Sequence, residues 1–150
     1  MKIRRANKFD QQHIFKMLRN FRDESPIKVM ATIDNEEHAS KLLNALLHGR
    51  GLILIAEKEE PVGMLMAVID QNVWDPDVLN MRELVYWVEP EHRGSTAGYR
   101  LLAEYNKIAQ EYVEEGRISF YTMSKLAKSP DLDYGKFGYQ RVEETWVAGV

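Results

Sequence analysis

Cysteine is absent from this sequence of 150 residues, so disulfide bonds, thiolate nucleophiles and Cys-ligated zinc or iron–sulfur sites are excluded. No apolar run approaches the roughly twenty residues that cross a bilayer. A basic excess is also lacking, because 20 Lys and Arg stand against 23 Asp and Glu, and a broad nucleic-acid surface needs a basic face. The N-terminal residues 1–5 lead into polar sequence rather than the apolar core of a signal peptide. These absences predict a cytoplasmic protein with neither a membrane nor a nucleic-acid partner.

The composition that remains is that of a globular domain. Hydrophobic residues make up 45% of the chain and charged residues 29%, a balance typical of folded soluble proteins. A chain of this length can bury one core and is too short for two domains, so we expect residues 1–150 to form a single domain. No metal site is predicted, because the histidines have no ligand-like spacing with one another or with carboxylates: His13, His38, His48 and His92.

The period of the hydrophobic pattern changes along the chain and predicts the elements. Apolar residues recur at helical spacing in residues 8–23 and 34–49, with Asp34 as the expected N-cap and Gly49 as the stop of the second helix. A third, stronger helix has a continuous apolar face between Leu101 and Val113 and is expected to end at Gly116. Strands are predicted by short apolar or β-branched runs at residues 2–6, 51–57, 62–69, 81–88, 118–123 and 139–147.

The order of these elements predicts an α+β fold. A short charged turn joins the strands at 51–57 and 62–69, so we expect them to pair antiparallel. The strand–helix–strand unit of residues 81–123 implies a parallel pair inside a mostly antiparallel sheet. The expected architecture is one mixed, twisted sheet of about six to seven strands with helices on both faces.

The turn before the third helix is the most informative segment, because small residues there precede unpaired helix N–H groups. A helix N-terminus and its dipole favour an anion, and small side chains let the backbone approach it closely. Arg93 adds a positive charge, so the turn is predicted to hold a phosphate or pyrophosphate. The local sequence leaves open the alternative of an ordinary strand-to-helix turn capped by Ser95 or Thr96. Neither a P-loop nor a dinucleotide fingerprint is present.

Residues 83–102 resemble the acetyl-CoA-binding motif of the GNAT N-acetyltransferase family. The family pattern there is Gln/Arg-x-x-Gly-x-Gly/Ala, and Arg93, Thr96 and Gly98 stand at its three marked positions, with threonine in place of the first glycine. The Ser/Thr-Ala-Gly turn is similar to that of small members encoded by tailed phages. A second segment, Tyr134-Gly135-Lys136-Phe137-Gly138-Tyr139, resembles the Tyr-x-x-x-Gly-Phe element that follows the fifth strand in many members. Together with the order of elements, the resemblance covers nearly the whole chain.

The resemblance implies a GNAT fold and direct transfer of an acetyl group from acetyl-CoA to a primary amine, on a small molecule or a protein. It implies that Tyr86 and Val88 contact the pantetheine arm through their backbone and that Tyr134 is the general acid at sulfur. It also implies a pyrophosphate site made by the N–H groups of Arg93, Gly94, Ser95, Thr96, Ala97, Gly98 and Tyr99. A homodimer, common among GNATs, is a further expectation that the sequence itself does not show.

Alternatives stay open at both candidate catalytic residues. Tyr134 would otherwise fill a gap between a short helix and the sheet. Glu83 is the candidate general base, because burial in an apolar strand would raise its pKa toward neutrality. The other interpretation of Glu83 is a solvent-facing carboxylate paired with Arg82. The acidic loop at residues 70–80 would either attract a cationic acceptor or be a solvated turn.

The function as a whole also has an alternative. A GNAT-fold module could bind CoA or another ligand without catalysing transfer. Turnover with a panel of amines distinguishes this module from an enzyme.

Overall fold

The computed structural model describes residues 1–127 and 132–150. Its longer elements are β1 (Lys2–Arg5), α1 (Gln11–Asp23), α2 (Glu36–Ala45), β2 (Gly51–Glu57), β3 (Pro61–Gln71), β4 (Leu79–Val88), α3 (Ala97–Glu114) and β5 (Phe120–Thr122). Short 3-10 turns form at Lys8–Asp10, Lys28–Thr32, Pro90–His92 and Tyr134–Phe137, and a π turn at Leu46–Arg50 ends the second helix. None of the helices in these two ranges is long and apolar enough to cross a membrane.

The strands form one mixed sheet in the order β1-β2-β3-β4-β5. The first four strands pair antiparallel, and β5 pairs parallel with β4, because α3 carries the chain back across the sheet between them. The predicted α+β fold with a mixed, mostly antiparallel sheet is therefore confirmed. The described residues contain five strands, fewer than the six to seven that we expected.

The missing strand is the one predicted at residues 139–147. That segment has no ladder partner among the described residues, and its large apolar side chains lie in solvent, with Val142 81% and Trp146 86% exposed. The β-branched and aromatic residues there satisfy strand propensity, but a strand also needs a neighbouring strand to pair its backbone. The strand prediction at 139–147 is therefore wrong for this chain by itself.

Helices cover both faces of the sheet, as predicted. On one face α3 packs through Leu101 and Tyr105 against alternate residues of the central strands, such as Leu54 and Leu65. On the other face α1 and α2 pack against the intervening residues of the same strands, namely Ile53, Ile55, Met64 and Met66. Because successive side chains along a strand point to opposite faces of the sheet, the apolar residues form one core on each face.

The ends of the helices follow local chemistry. Asn35, rather than the predicted Asp34, caps α2, and its side chain accepts a hydrogen bond from the N–H of His38 at 3.0 Å. Asp34 instead lies beside the guanidinium groups of α1. Gly49 and Gly116 have positive φ angles of 97° and 75° where the second and third helices end, as predicted. The sequence also predicts a loosely helical stretch over residues 125–137, of which residues 128–131 lie outside the described residues.

The candidate site lies where β4 loses its neighbouring strand on one side. A bulge interrupts its ladder with β3 between Met66 and Ala67, and β5 pairs only with Asn80, Met81 and Arg82. Beyond Arg82 no described strand covers that edge of β4. Half of β4 therefore has an open edge, and this edge leads toward the start of α3.

Candidate active site

The turn at residues 93–99 presents the N-terminus of α3. Gly94 has a φ angle of 94°, a left-handed conformation that favours glycine and reverses the chain. The first backbone bond of the helix runs from the N–H of Arg100 to the carbonyl of Thr96 at 2.9 Å. The N–H groups of Gly98 and Tyr99 therefore have no partner within the helix. Their direction and the helix dipole suit an anion.

The capping interpretation of this turn holds only in part. Thr96 occupies the N-cap position, but its side chain makes no capping hydrogen bond. The Ser95 hydroxyl accepts from the N–H of Ala97 at 3.2 Å and donates to the carbonyl of His92 at 2.6 Å. Ser95 therefore satisfies one N–H of the first turn and leaves the following ones available.

Tyr86 ties β4 to the start of α3. Its hydroxyl donates a hydrogen bond to the carbonyl of Gly98, and burial raises the pKa of this phenol well above its ordinary value. A Cβ atom at Gly98 would lie 3.3 Å from the Tyr86 hydroxyl, tighter than most real contacts. Glycine at this position therefore lets the helix begin close to the strand.

The backbone of Tyr86 and Val88 faces the open edge of β4. The N–H of Glu89 donates to the Val62 carbonyl at 2.8 Å, so Glu89 and Val62 form a hydrogen-bonded pair. In an antiparallel ladder such pairs alternate with non-bonded ones, so the backbone groups of Tyr86 and Val88 point away from β3. The Val88 carbonyl accepts from Nε of Arg93 at 2.9 Å, while its N–H stays on the open edge.

Glu83 lies at the start of this open edge and is only 7% exposed. Burial raises the pKa of its carboxyl to about 7, against smaller lowering effects from the Ser124 N–H and the charge of Arg82. The Ser124 N–H donates to Glu83 Oε2 at 3.2 Å. Arg82 pairs with Asp70 at 2.8 Å instead. The solvent-facing interpretation of Glu83 is therefore wrong.

Tyr134 reaches the same place from the C-terminal region. Its hydroxyl donates to the carbonyl of Ser124 at 3.4 Å. Burial, followed by the negative charge of Glu83, raises the pKa of the phenol to about 12. One residue, Ser124, therefore contacts both candidate catalytic side chains, Glu83 through its N–H and Tyr134 through its carbonyl.

Sequence reasoning missed two neighbours of this pair. Ser124 acts through its backbone, and no side-chain pattern signals such a role. Tyr105 lies on the apolar face of α3 and is fully buried. Its hydroxyl also donates to the Thr122 carbonyl at 3.0 Å, and its pKa is raised by burial and in part by Glu83. The available signal is a phenol on a mostly aliphatic helix face, and Tyr112 on the same face gives the same signal.

The remaining candidates lie further from this pair. The guanidinium of Arg93 pairs with Glu24 at 3.0 Å rather than standing free at the rim of the turn. In the acidic loop Trp74 is 90% exposed, and the Asp75 side chain accepts from the N–H of Asp77 at 2.9 Å. The loop therefore has the features of a solvated turn. Residues 1–127 and 132–150 contain no cluster of three or more His, Asp or Glu suited to a metal ion.

The geometry defines a class of protein. A mixed sheet with a half-open strand edge, a helix start with unpaired N–H groups at one end, and a buried carboxyl and a half-buried phenol at the other fits a transferase that uses a phosphate-bearing acyl carrier. The chain belongs to the acetyltransferase (GNAT) family, whose profile matches residues 15–132. The family uses acetyl-CoA, and membership supports acetyl transfer as the general class of reaction and an acyltransferase as the class of enzyme.

Solved structures agree on the fold. An acetyltransferase from Trypanosoma brucei superposes with a TM-score of 0.69 at 13% identity, covering 99% of both chains. The aminoglycoside acetyltransferase meta-AAC0020 from an uncultured soil metagenomic sample, solved with trehalose, gives 0.66 at 19% identity, covering 98% of this chain and 95% of the other. AAC(6')-Iy, in complex with the bisubstrate analog CoA-S-monomethyl-acetylneamine, gives 0.65 at 14% identity, with coverage of 98% and 95%. No curated protein sequence matches the chain.

Proposed function

We propose that residues 1–150 form one acetyltransferase domain that moves an acetyl group from acetyl-CoA to a primary amine. The observation that carries the proposal is the pairing of Glu83 and Tyr134 through Ser124 beside the open edge of β4. A carboxyl with a pKa near 7 and a protonated phenol supply a proton acceptor and a hydrogen-bond donor in one partly dry site.

The residues around the open edge fit the thioester carrier. The N–H groups of Gly98 and Tyr99 would hold its diphosphate, and the backbone groups of Tyr86 and the free N–H of Val88 would pair with its pantetheine arm. When bound, the carrier supplies an activated acyl group. The chain's contribution there is orientation, because holding two reactants in line removes much of the entropic barrier.

Glu83 would accept the proton of the incoming ammonium. Its pKa of about 7 leaves about half of the molecules ionised at neutral pH, so the group can take up a proton and release it again. The amine nitrogen then bonds to the acyl carbon, and the bond from that carbon to sulfur breaks.

Tyr134 would stabilise the departing sulfur chiefly through a hydrogen bond. A thiol has an ordinary pKa of about 8.5, whereas that of the phenol is raised to about 12. Full proton transfer from phenol to thiolate would thus cost about 5 kcal/mol. The phenol keeps its proton throughout the neutral range, so it is always present as a donor, and the thiolate takes its final proton from solvent.

The test follows thiol release with acetyl-CoA and a panel of amines that includes an aminoglycoside, a diamine and a lysine peptide. The aminoglycoside is included because meta-AAC0020 is an aminoglycoside acetyltransferase. We expect turnover with one amine class, and a kcat/KM that rises with pH and levels off above about 7 as Glu83 ionises. Binding of CoA without turnover across the panel would instead favour the non-catalytic module.

Matched variants assign the roles. Glu83→Gln should lower kcat by about 100-fold or more and abolish the pH dependence near neutrality. Tyr134→Phe should lower kcat by about 10- to 100-fold, the value of one hydrogen bond to a charged group. The control is Tyr121→Phe, because the Tyr121 hydroxyl contacts Asn106 and Gln110 on α3 rather than Ser124. Equal losses for both phenol variants would contradict the role of Tyr134.

A further inference from the structure

Arg93 is the charged side chain of the 93–99 turn, yet each of the three nitrogens of its guanidinium donates a hydrogen bond to the protein. Its Nε donates to the Val88 carbonyl at 2.9 Å. Its two terminal nitrogens donate to the two oxygens of Glu24 at 3.3 and 3.0 Å. The group also lies over the ring of Trp87, 4.5 Å from the centroid, a cation–π geometry.

These contacts place the charge on the α1 side of the sheet. The Trp87 side chain belongs to the core that α1 and α2 form on that face, and Phe21 of α1 packs edge-on against its ring. Ala97 belongs to the core on the opposite face, with α3. Glu24 is the residue that immediately follows α1.

A second link joins the same two regions. The side-chain amide of Asn20, on the last turns of α1, donates to both carboxylate oxygens of Glu89 at 3.1 Å. Glu89 follows β4 directly and precedes the 93–99 turn. Two side-chain pairs, Arg93–Glu24 and Asn20–Glu89, therefore connect residues 89–93 to the C-terminal end of α1.

We propose that Arg93 is a positioning residue. Together with Glu24, Asn20 and Glu89 it holds the 93–99 turn against the end of α1. The backbone N–H groups of the turn then bind the diphosphate without a contact from the guanidinium. We call these four residues the clasp. The inference rests on the proposed function, since it concerns how the same turn presents itself to CoA. It differs from the sequence interpretation, in which the charge of Arg93 serves the phosphate.

The two roles for Arg93 predict opposite effects at Glu24. If the clasp positions the turn, Glu24→Gln loosens it and weakens CoA binding. If the guanidinium contacts the diphosphate, Glu24→Gln frees a cation and removes a nearby negative charge, so CoA binds more tightly. Arg93→Lys separates the roles again, because lysine keeps the charge but lacks the planar fork that bonds two partners at once.

The experiment measures the dissociation constant of CoA by calorimetry for the full chain and four variants: Glu24→Gln, Arg93→Gln, the double variant and Arg93→Lys. The control is Glu91→Gln, which removes an equivalent exposed charge in the adjacent Pro90–His92 turn, where the carboxylate has no hydrogen bond or ion pair within residues 1–127 and 132–150. Its effect reports the general electrostatic influence of one carboxylate near the turn. A salt titration is repeated for the wild type and Arg93→Gln.

The clasp predicts that Glu24→Gln, Arg93→Gln and Arg93→Lys each weaken CoA binding by about three- to ten-fold relative to Glu91→Gln. The double variant should be no weaker than either Gln single variant, because each breaks the same contact. The salt dependence of binding should be the same for Arg93→Gln and wild type, since no phosphate contact is lost.

Tighter binding by Glu24→Gln, retained affinity in Arg93→Lys, or a flatter salt dependence in Arg93→Gln would each overturn the clasp and assign the guanidinium to the phosphate. Additive losses in the double variant would also overturn it. Failure of the wild type to bind CoA is a distinguishable result, because it rejects the proposed function and the clasp together.

Discussion

The chain divides into two regions that pack very differently. Among the described residues every buried one lies at or before Ile118, and this region contains the buried residues of both cores. From residue 119 onward no described residue is buried, and the larger apolar side chains of residues 140–150 are mostly in solvent. The first region therefore supplies the stability of the fold.

The second region nevertheless supplies half of the candidate site. Ser124 and Tyr134 both belong to it, and Tyr134 is held by ring contacts with Tyr139, whose ring contacts Tyr121 in turn. Segments with few buried contacts open at low free-energy cost. Glu83 therefore stands on a well-packed strand, whereas Tyr134 is carried by a lightly packed segment. Variants in the two regions should therefore separate stability from activity.

The largest difference is expected from matched truncations of one aliphatic side chain in each region. Leu101 is fully buried between α3 and the sheet, whereas Val142 is 81% exposed. Leu101→Ala should lower the free energy of unfolding by about 2–5 kcal/mol, because it removes buried methyl groups and leaves a cavity. Val142→Ala should change it by less than about 0.5 kcal/mol. Urea unfolding measures both, and a comparable loss for Val142→Ala would refute the division.

A second difference in stability depends on pH and comes from the titration of Glu83. Its pKa is raised from 4.5 to about 7 in the folded state, so the folded chain holds a proton that the unfolded chain releases. This contribution to stability is present below pH 4.5 and is lost as the pH rises through about 7. Glu83→Gln does not lose stability in this way as the pH rises, because glutamine does not titrate. Its amide oxygen can still accept a hydrogen bond from the Ser124 N–H. Its advantage over wild type should therefore grow to about 3 kcal/mol by pH 8.

Thermal or urea unfolding of both proteins between pH 4 and pH 8 checks this sign. A difference between the two that stays constant with pH would mean that the pKa of Glu83 is the same in the folded and unfolded chains, and would remove the reason for treating it as a base near neutral pH. If Glu83 is the general base, Glu83→Gln should both lose activity and gain stability at pH 8.

A smaller difference is expected between the contributions that two ion pairs make to the free energy of unfolding. In the first region Asp10 is 5% exposed and accepts from both terminal nitrogens of Arg4 at 2.8 Å and from the N–H of Asn7. These contacts hold the pKa of Asp10 below its usual range, so their stabilisation is present at neutral pH and is lost as the pH falls. In the second region Glu144 pairs with Arg141 on the surface.

Asp10→Asn should therefore cost about 1–3 kcal/mol at pH 7, and Glu144→Gln less than about 0.5 kcal/mol. Repeating the Asp10→Asn measurement near pH 3 provides the control, because the loss should shrink there as the wild-type carboxyl becomes protonated. Equal costs for the two variants would show that the C-terminal segment is packed.

The same division explains what the sequence could predict. The order of elements up to β5, the faces of the helices and the stops at Gly49 and Gly116 depend on local periodicity and turn chemistry, and these predictions are confirmed. The strand at residues 139–147 failed because a strand requires a neighbour that local propensity does not encode. The cap of α2 shifted by one residue, from Asp34 to Asn35, because both types are good caps and the guanidinium groups of α1 lie beside Asp34.

The candidate site was predictable where side-chain type carries the chemistry. Glu83 and Tyr134 stood out as a carboxylate in an apolar strand and a phenol in a resembling motif, and their roles remain predictions. Ser124 could not be found, because any residue has the N–H and carbonyl that it uses. The partner of Arg93 was equally hidden, since Glu24 lies 69 residues away in the sequence, and no local pattern links two such positions.

The smallest effect is expected at Trp146, which is 86% exposed. Trp146→Ser should leave the free energy of unfolding within about 0.5 kcal/mol of wild type, although tryptophan is the largest side chain available for a core. The corresponding variant Trp87→Ala removes a ring that is 5% exposed and packs against Phe21 and Arg93, so it should cost clearly more. If Trp146→Ser instead destabilises the chain by more than about 1 kcal/mol, the C-terminal segment must be covered in solution. The contrast between the two regions would then hold only for an isolated chain.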